Sequence, residues 1–167
     1  MLESYDESRT YETTTSGQDF LSNFANNGKT LLAGEGQSGK TVLCGLLFKL
    51  LVSKKFIPVY LSDERNGHRG NLDSRINKAI EYQLILKLDL DLIDRNKIVP
   101  IVDDFYLAVN KKKLIENLNS YPHHLIVVDD VFELNFSNEL LIKTYNHFKI
   151  KEMSELQRLE MVEKWVD

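Results

Sequence analysis

Residues 34–41 read GEGQSGKT: Gly34, four residues, then Gly39, Lys40 and Thr41. The apolar run TLLA precedes them at 30–33. Val42, Leu43, Leu46, Leu47, Leu50 and Leu51 follow at helical spacing. A buried strand must therefore turn sharply, through glycines, into a helix. Such a turn aims several backbone N–H groups at one point and adds the positive end of the helix, and together these bind an anion. Glycines keep side chains out of the path of the anion and admit positive φ.

The Gly-x4-Gly-Lys-Thr spacing, with a strand before it and a helix after it, is that of a phosphate-binding P-loop. The expected nucleotide cradle is Gly34, Glu35, Gly36, Gln37, Ser38, Gly39, Lys40, Thr41 and Val42. Lys40 reaches the β- and γ-phosphates and serves catalysis, and the Thr41 hydroxyl ligates Mg²⁺. ATP with Mg²⁺ is the expected cofactor pair. The plain alternative is a glycine-rich turn with a capping threonine, and the flanking strand and helix weigh against it.

A P-loop needs an acid at the end of a neighbouring apolar strand to hold the metal and orient water. Two pairs qualify: Asp103 and Asp104 close IVPIVDD, and Asp129 and Asp130 close LIVVDD. Where an extra strand lies between the Walker A and Walker B strands, the Walker B strand is third in the chain and the fourth strand lies between them in space. By that fold analogy Asp103 belongs to the metal shell and Asp104 is the catalytic acid that polarises water, while Asp129 or Asp130 sits where a γ-phosphate sensor would. The Asp129-Asp130 pair stays open as the alternative Walker B.

The rest of the chain supplies the elements such a site requires. FIPVYL at 56–61, KIVPIVDDF at 97–105, HLIVVDDVF at 124–132 and YNHFKI at 145–150 read as further strands. Between them, Ile76, Ala79, Ile80, Leu84 and Leu88 mark a long helix, and KKKLIENLNS at 111–120 a short one. SGQD at 16–19 and SELQ at 154–157 are capping boxes. The first opens a helix through Phe20, Leu21, Phe24 and Ala25, the second a helix through Leu156, Leu159, Val162 and Val166. Strands alternating with helices predict an α/β three-layer sandwich: about five strands, mostly parallel, with helices on both faces. Residues 1–15 are polar and aperiodic and read as a flexible lead-in, so the domain is expected over 16–167.

A net charge of −4 argues against a nucleic-acid surface, which would carry a basic excess. No apolar stretch reaches the ~18 residues of a membrane span. The single cysteine, Cys44, excludes an intrachain disulfide and, without a recognisable signal peptide, points to the cytoplasm. Its apolar neighbours predict a small buried residue rather than a nucleophile. The four histidines have no metal-ligand spacing with it. No NKxD guanine signature is present, and DERN at 63–66 fails the DxxG pattern at Asn66.

The order of LLAGEGQSGKT, FIPVYLSDE, KIVPIVDDF, HLIVVDDVFEL and YNHFKIKEMSELQRLEMVEKWV resembles the nucleotide-binding core of STAND-class ATPases, relatives of NACHT and NB-ARC modules. It is most similar to the STAND segments of large bacterial proteins, some of which act in defence against phage. The resemblance covers residues 28–166 and implies a regulatory switch, with nucleotide-dependent self-association through the core and slow hydrolysis as the reset. It also implies a truncated core, because the family's lid, winged helix, Gly-x-Pro motif and histidine sensor do not fit in 167 residues. Two other functions stay open. One is a small-molecule or nucleotide kinase, with the loop at 62–72 (Asp63, Arg65, Arg69) as acceptor site or lid. The other is a non-catalytic interaction domain stabilised by nucleotide.

Overall fold

Four short apolar runs and one alternating segment become five parallel strands of one sheet. The computed structural model describes residues 2–4, 13–15, 20, 24, 28–62, 68–84, 92–129 and 144–150. The parallel strands are β3 (Lys29–Ala33), β4 (Ile57–Leu61), β5 (Ile98–Val102), β6 (His124–Val128) and β7 (Asn146–Ile150), in spatial order β7-β3-β6-β5-β4. Their inner members, β3, β6 and β5, are mostly apolar because both faces are covered.

Alternation along each strand divides the core in two. Leu31, Ala33, Ile98, Val102, Ile126 and Val128 pack on one face with α2 (Leu72–Leu84) and α3 (Lys111–Leu118). Leu32, Val99, Ile101, Leu125, Val127 and Phe148 pack on the other with α1 (Lys40–Ser53) and with the helical residues Phe20 and Phe24. This is the three-layer α/β sandwich that the sequence predicts. Within α1 the buried stripe is Cys44, Leu47 and Leu51, while Val42, Leu46 and Val52 face outward.

The N-terminus departs from the sequence reading. Residues 1–15 are not wholly a loose lead-in: β1 (Leu2–Ser4) and β2 (Thr13–Thr15) add to the sheet. β1 runs antiparallel along β7, with Leu2 opposite Ile150 and Ser4 opposite Phe148, and β2 runs antiparallel along β1. Pairing along a free edge uses backbone groups alone, so it needs no apolar periodicity, and threonine suits such a strand. At the other edge, the Gln83 side chain accepts from the Tyr60 N–H (3.0 Å) and donates to the Tyr60 carbonyl (2.6 Å), covering one backbone pair of β4. The continuation of the long helix beyond Leu84 through 85–91 and the helix after SELQ lie outside the described residues. No helix among the described residues is long and apolar enough to cross a membrane.

His124, at the start of β6, is fully buried. Its Nδ1 lies 2.8 Å from the Tyr121 carbonyl, which can only accept, so Nδ1 carries the proton and Nε2 accepts from the Tyr145 hydroxyl at 2.6 Å. Burial lowers the pKa to about 4 from an ordinary 6.5, with small pushes the same way from Lys29 and His123 and an opposing one from the Tyr121 carbonyl. The unfolded chain takes up this proton at higher pH than the folded one. The stabilisation from a neutral His124 is therefore complete above about 6.5 and lost as pH falls towards 4, a change of about 3 kcal/mol. Denaturant titrations should show a falling midpoint across that window, and His124→Asn, which keeps a donor near the Tyr121 carbonyl, should flatten it. An equal pH slope in both proteins would count against a neutral buried imidazole.

Candidate nucleotide site

β3 ends at Ala33 and α1 begins at Lys40, so residues 34–39 carry the chain from sheet to helix. Gly39 caps the helix at φ 93°, in the left-handed region that glycine enters without strain. Gly34 is glycine for space: a Cβ there would lie 2.7 Å from Ser38 Oγ and 3.3 Å from Ile150 Cβ. The last residue of β7 thus braces the start of the loop. The Ser38 N–H closes a turn onto the Glu35 carbonyl at 3.2 Å.

The Lys40 side chain folds back over this turn. Its ammonium donates to the Gly34 carbonyl at 2.5 Å and the Glu35 carbonyl at 2.6 Å. Ser38 Oγ is buried in the same turn with no hydrogen-bond partner. An orphaned buried hydroxyl costs about 1–3 kcal/mol, and a phosphate oxygen is a fitting acceptor for it. Glu35, Gly36 and Gln37 are exposed, as are Thr41 at the second helical position and Val42, while Gly34 is buried. Of the predicted cradle, residues 34–39 make the turn, and Lys40, Thr41 and Val42 open α1.

The acids come from the next strands. β6 lies between β3 and β5, the arrangement of P-loop proteins with an extra strand between the Walker A and Walker B strands. Asp103 follows β5 directly, is 7% exposed, and is held on every side. Its Oδ2 accepts from the Tyr60 hydroxyl and its Oδ1 from the Asp104 N–H at 2.9 Å. Its own N–H donates to the Leu61 carbonyl at 2.9 Å, and its carbonyl accepts from His68 Nε2 at 2.7 Å. Asp104 is half-buried with φ 52° and ψ 34°, a left-handed conformation uncommon outside glycine but enriched in aspartate. The Leu107 N–H closes a turn on its carbonyl, and Ser62 Oγ lies 3.5 Å from its Oδ2.

Cys44 connects the two halves electrostatically. Burial pushes its thiol up to about 12, Asp103 adds to the shift and Lys40 opposes it. Both charges are thus felt at one buried group on α1, and the thiol stays protonated, as the sequence reading of a small buried residue requires. Burial likewise raises the Tyr60 phenol, reinforced by its bond to Asp103.

Asp129 follows β6 directly; because Ala33 pairs with Val128, it lies level with Gly34. Asp130 lies outside the described residues, as do Asp63 and Arg65 of the loop considered for a kinase; Arg69 of that loop is exposed. Sequence reasoning missed Tyr60, His68 and Arg75. Tyr60 shows only as an alternating strand residue. His68 shows in the sequence only as one of four histidines without metal-ligand spacing. Its one available signal was Arg75, a cation in the first turn of a helix, where the dipole disfavours it.

Loop, strand order and layering together define a P-loop NTPase fold. Solved structures of similar shape agree. Hsp104, in a closed-state cryo-EM reconstruction with ATPγS and FITC-casein, superposes with a TM-score of 0.52 at 10% identity, over 89% of this chain and 29% of its own. Pif1 helicase from Candida albicans superposes with a TM-score of 0.50 at 15% identity, over 93% of this chain and 44% of its own. This chain therefore spans less than half the length of either. No protein-family model and no curated protein matches the chain.

Proposed function

We propose that this chain is an ATP–Mg²⁺-binding module that hydrolyses ATP slowly and acts as a regulatory switch. The observation that carries the reading is the P-loop itself: a lysine ammonium and an orphaned serine hydroxyl gathered over one glycine turn at a helix start. The backbone N–H groups of 34–42 receive the phosphates, and Lys40 transfers its ammonium from the loop carbonyls to the β- and γ-phosphate oxygens. Thr41 and Asp103 would hold the metal, which when bound would supply positive charge to offset that of the phosphates. Asp104 orients and deprotonates the attacking water. The STAND resemblance supports the narrower reading of a cytoplasmic switch in bacterial signalling or anti-phage defence that self-associates through this core. The kinase alternative has no comparable support, since His68 of its loop is turned towards Asp103.

Thr41 gives the test. Thr41→Ala should weaken Mg²⁺-dependent ATP binding more than Mg²⁺-free binding, because water replaces a lost protein ligand of this ion without loss of structure. Titrating Mg²⁺ at fixed ATP and following phosphate release reads both effects. Superimposable curves for the two proteins would reduce Thr41 to a helix-start residue. Phosphate appearing on an acceptor rather than in water would favour the kinase.

A further inference from the structure

His68 lies outside the P-loop and outside both aspartate pairs, yet it is 6% exposed and takes a left-handed φ of 53°. Both of its ring nitrogens are engaged. Arg75 Nη2 lies 2.7 Å from Nδ1, and Arg75 Nη1 lies 3.4 Å from the His68 carbonyl. A guanidinium only donates, so Nδ1 must present its lone pair and the ring proton must sit on Nε2. Nε2 lies 2.7 Å from the Asp103 carbonyl and so donates to it. The relay has one direction: Arg75 to His68 to the peptide that joins Asp103 to Asp104.

Three features tie this relay to the acids. Arg75 sits in the first turn of α2, whose N-terminus is capped by the Asn71 side chain accepting from the Ser74 N–H at 3.1 Å. The helix dipole disfavours a cation at that end, while the Arg75 guanidinium reaches the His68 ring. The peptide that His68 holds is the one that must turn as Asp104 enters its left-handed conformation. The Asp103 carboxylate is meanwhile fixed by Tyr60 and by the Asp104 N–H. Tyr60 and His68 thus grip the side chain and the backbone of one residue, and the aim of Asp104 is what remains for the pair to set.

We propose that His68, with its proton fixed on Nε2 by Arg75, is a positioning residue for the Asp103-Asp104 pair. It touches neither nucleotide nor water. It holds the peptide whose orientation aims the Asp104 carboxylate. This rests on the ATPase reading above and adds a residue to it.

The test separates hydrolysis from binding. His68→Asn tolerates the left-handed backbone, but its shorter amide does not reach the Asp103 carbonyl. His68→Gln carries an amide N–H at about the position of Nε2. Arg75→Met removes the orienting donor while relieving the helix end of a cation. Phosphate release at saturating ATP–Mg²⁺ should fall about tenfold or more in His68→Asn and Arg75→Met, as small misplacements of reacting groups do. ATP affinity by calorimetry should stay within about twofold of wild type, since differential loss in the chemical step is the mark of positioning. His68→Gln should restore most of the rate. Wild-type turnover in both His68→Asn and Arg75→Met overturns the inference. So does a parallel loss of affinity and thermal midpoint with turnover, which would mark a purely structural contact. A wild-type protein that binds ATP without releasing phosphate overturns the hydrolytic reading instead, and this inference with it.

Discussion

Asp104→Asn is expected to abolish measurable ATP hydrolysis while leaving ATP affinity within about threefold of wild type. Asparagine shares the tolerance of aspartate for the left-handed backbone at φ 52°, so the turn onto Leu107 should persist. The change removes the one property the proposed role demands, a carboxylate that can accept a proton from water. General-base assistance contributes typically about 10²–10⁴-fold, so phosphate release should drop by at least about a hundredfold. Asp103, which belongs to the metal shell in this reading, is untouched and keeps its bond from the residue 104 N–H. Single-turnover phosphate release, with calorimetry for affinity, distinguishes the outcomes. Wild-type turnover would move the role to Asp129 or Asp130, and the same substitution at those positions would then decide between the two strands.

Lys40→Ala should weaken ATP–Mg²⁺ binding tenfold or more. Without nucleotide, the ammonium is held by the Gly34 and Glu35 carbonyls. Binding exchanges those neutral acceptors for phosphate oxygens, which bear charge and make stronger bonds. A hydrogen bond to a charged group is worth about 1.5–3 kcal/mol net, and about 1.4 kcal/mol corresponds to a factor of ten in affinity. The fold should survive, because the substitution takes a cation away from a helix N-terminus. Equal affinities by calorimetry would rule out the P-loop assignment, since no other side chain is proposed to carry this contact.

The framework was legible because its signals are local. The apolar runs FIPVYL, KIVPIVDDF and HLIVVDDVF became β4, β5 and β6, the alternating YNHFKI became β7, and TLLA became the core of β3. The runs of β4, β5 and β6 are mostly apolar because helices cover both faces of the sheet there, a property written residue by residue, whereas β7 has one buried residue, Phe148. The glycine turn was legible for the same reason: strand, turn, lysine and helix are contiguous. The strands at Leu2–Ser4 and Thr13–Thr15 were not, because the pairing of β1 with β7 and of β2 with β1 depends on backbone groups that every residue carries. The exposed positions of Val42 and Leu46 were also hidden, since α1 is apolar almost all round and only its neighbours decide which stripe is buried.

Sequence alone was enough to place a strand that turns through glycines into a helix and to find an acid pair after each of two apolar runs. It could rank those pairs only by fold analogy. The tertiary structure decided their placement: β6 lies beside β3, β5 lies one strand further, and Asp103 is gripped by Tyr60 and His68 from segments 43 and 35 residues away in the chain. Those contacts are invisible in sequence because hydrogen bonds across such separations leave no periodicity. A tyrosine in a strand and a histidine in a loop acquire a role only when folding carries them to the same carboxylate and the same peptide.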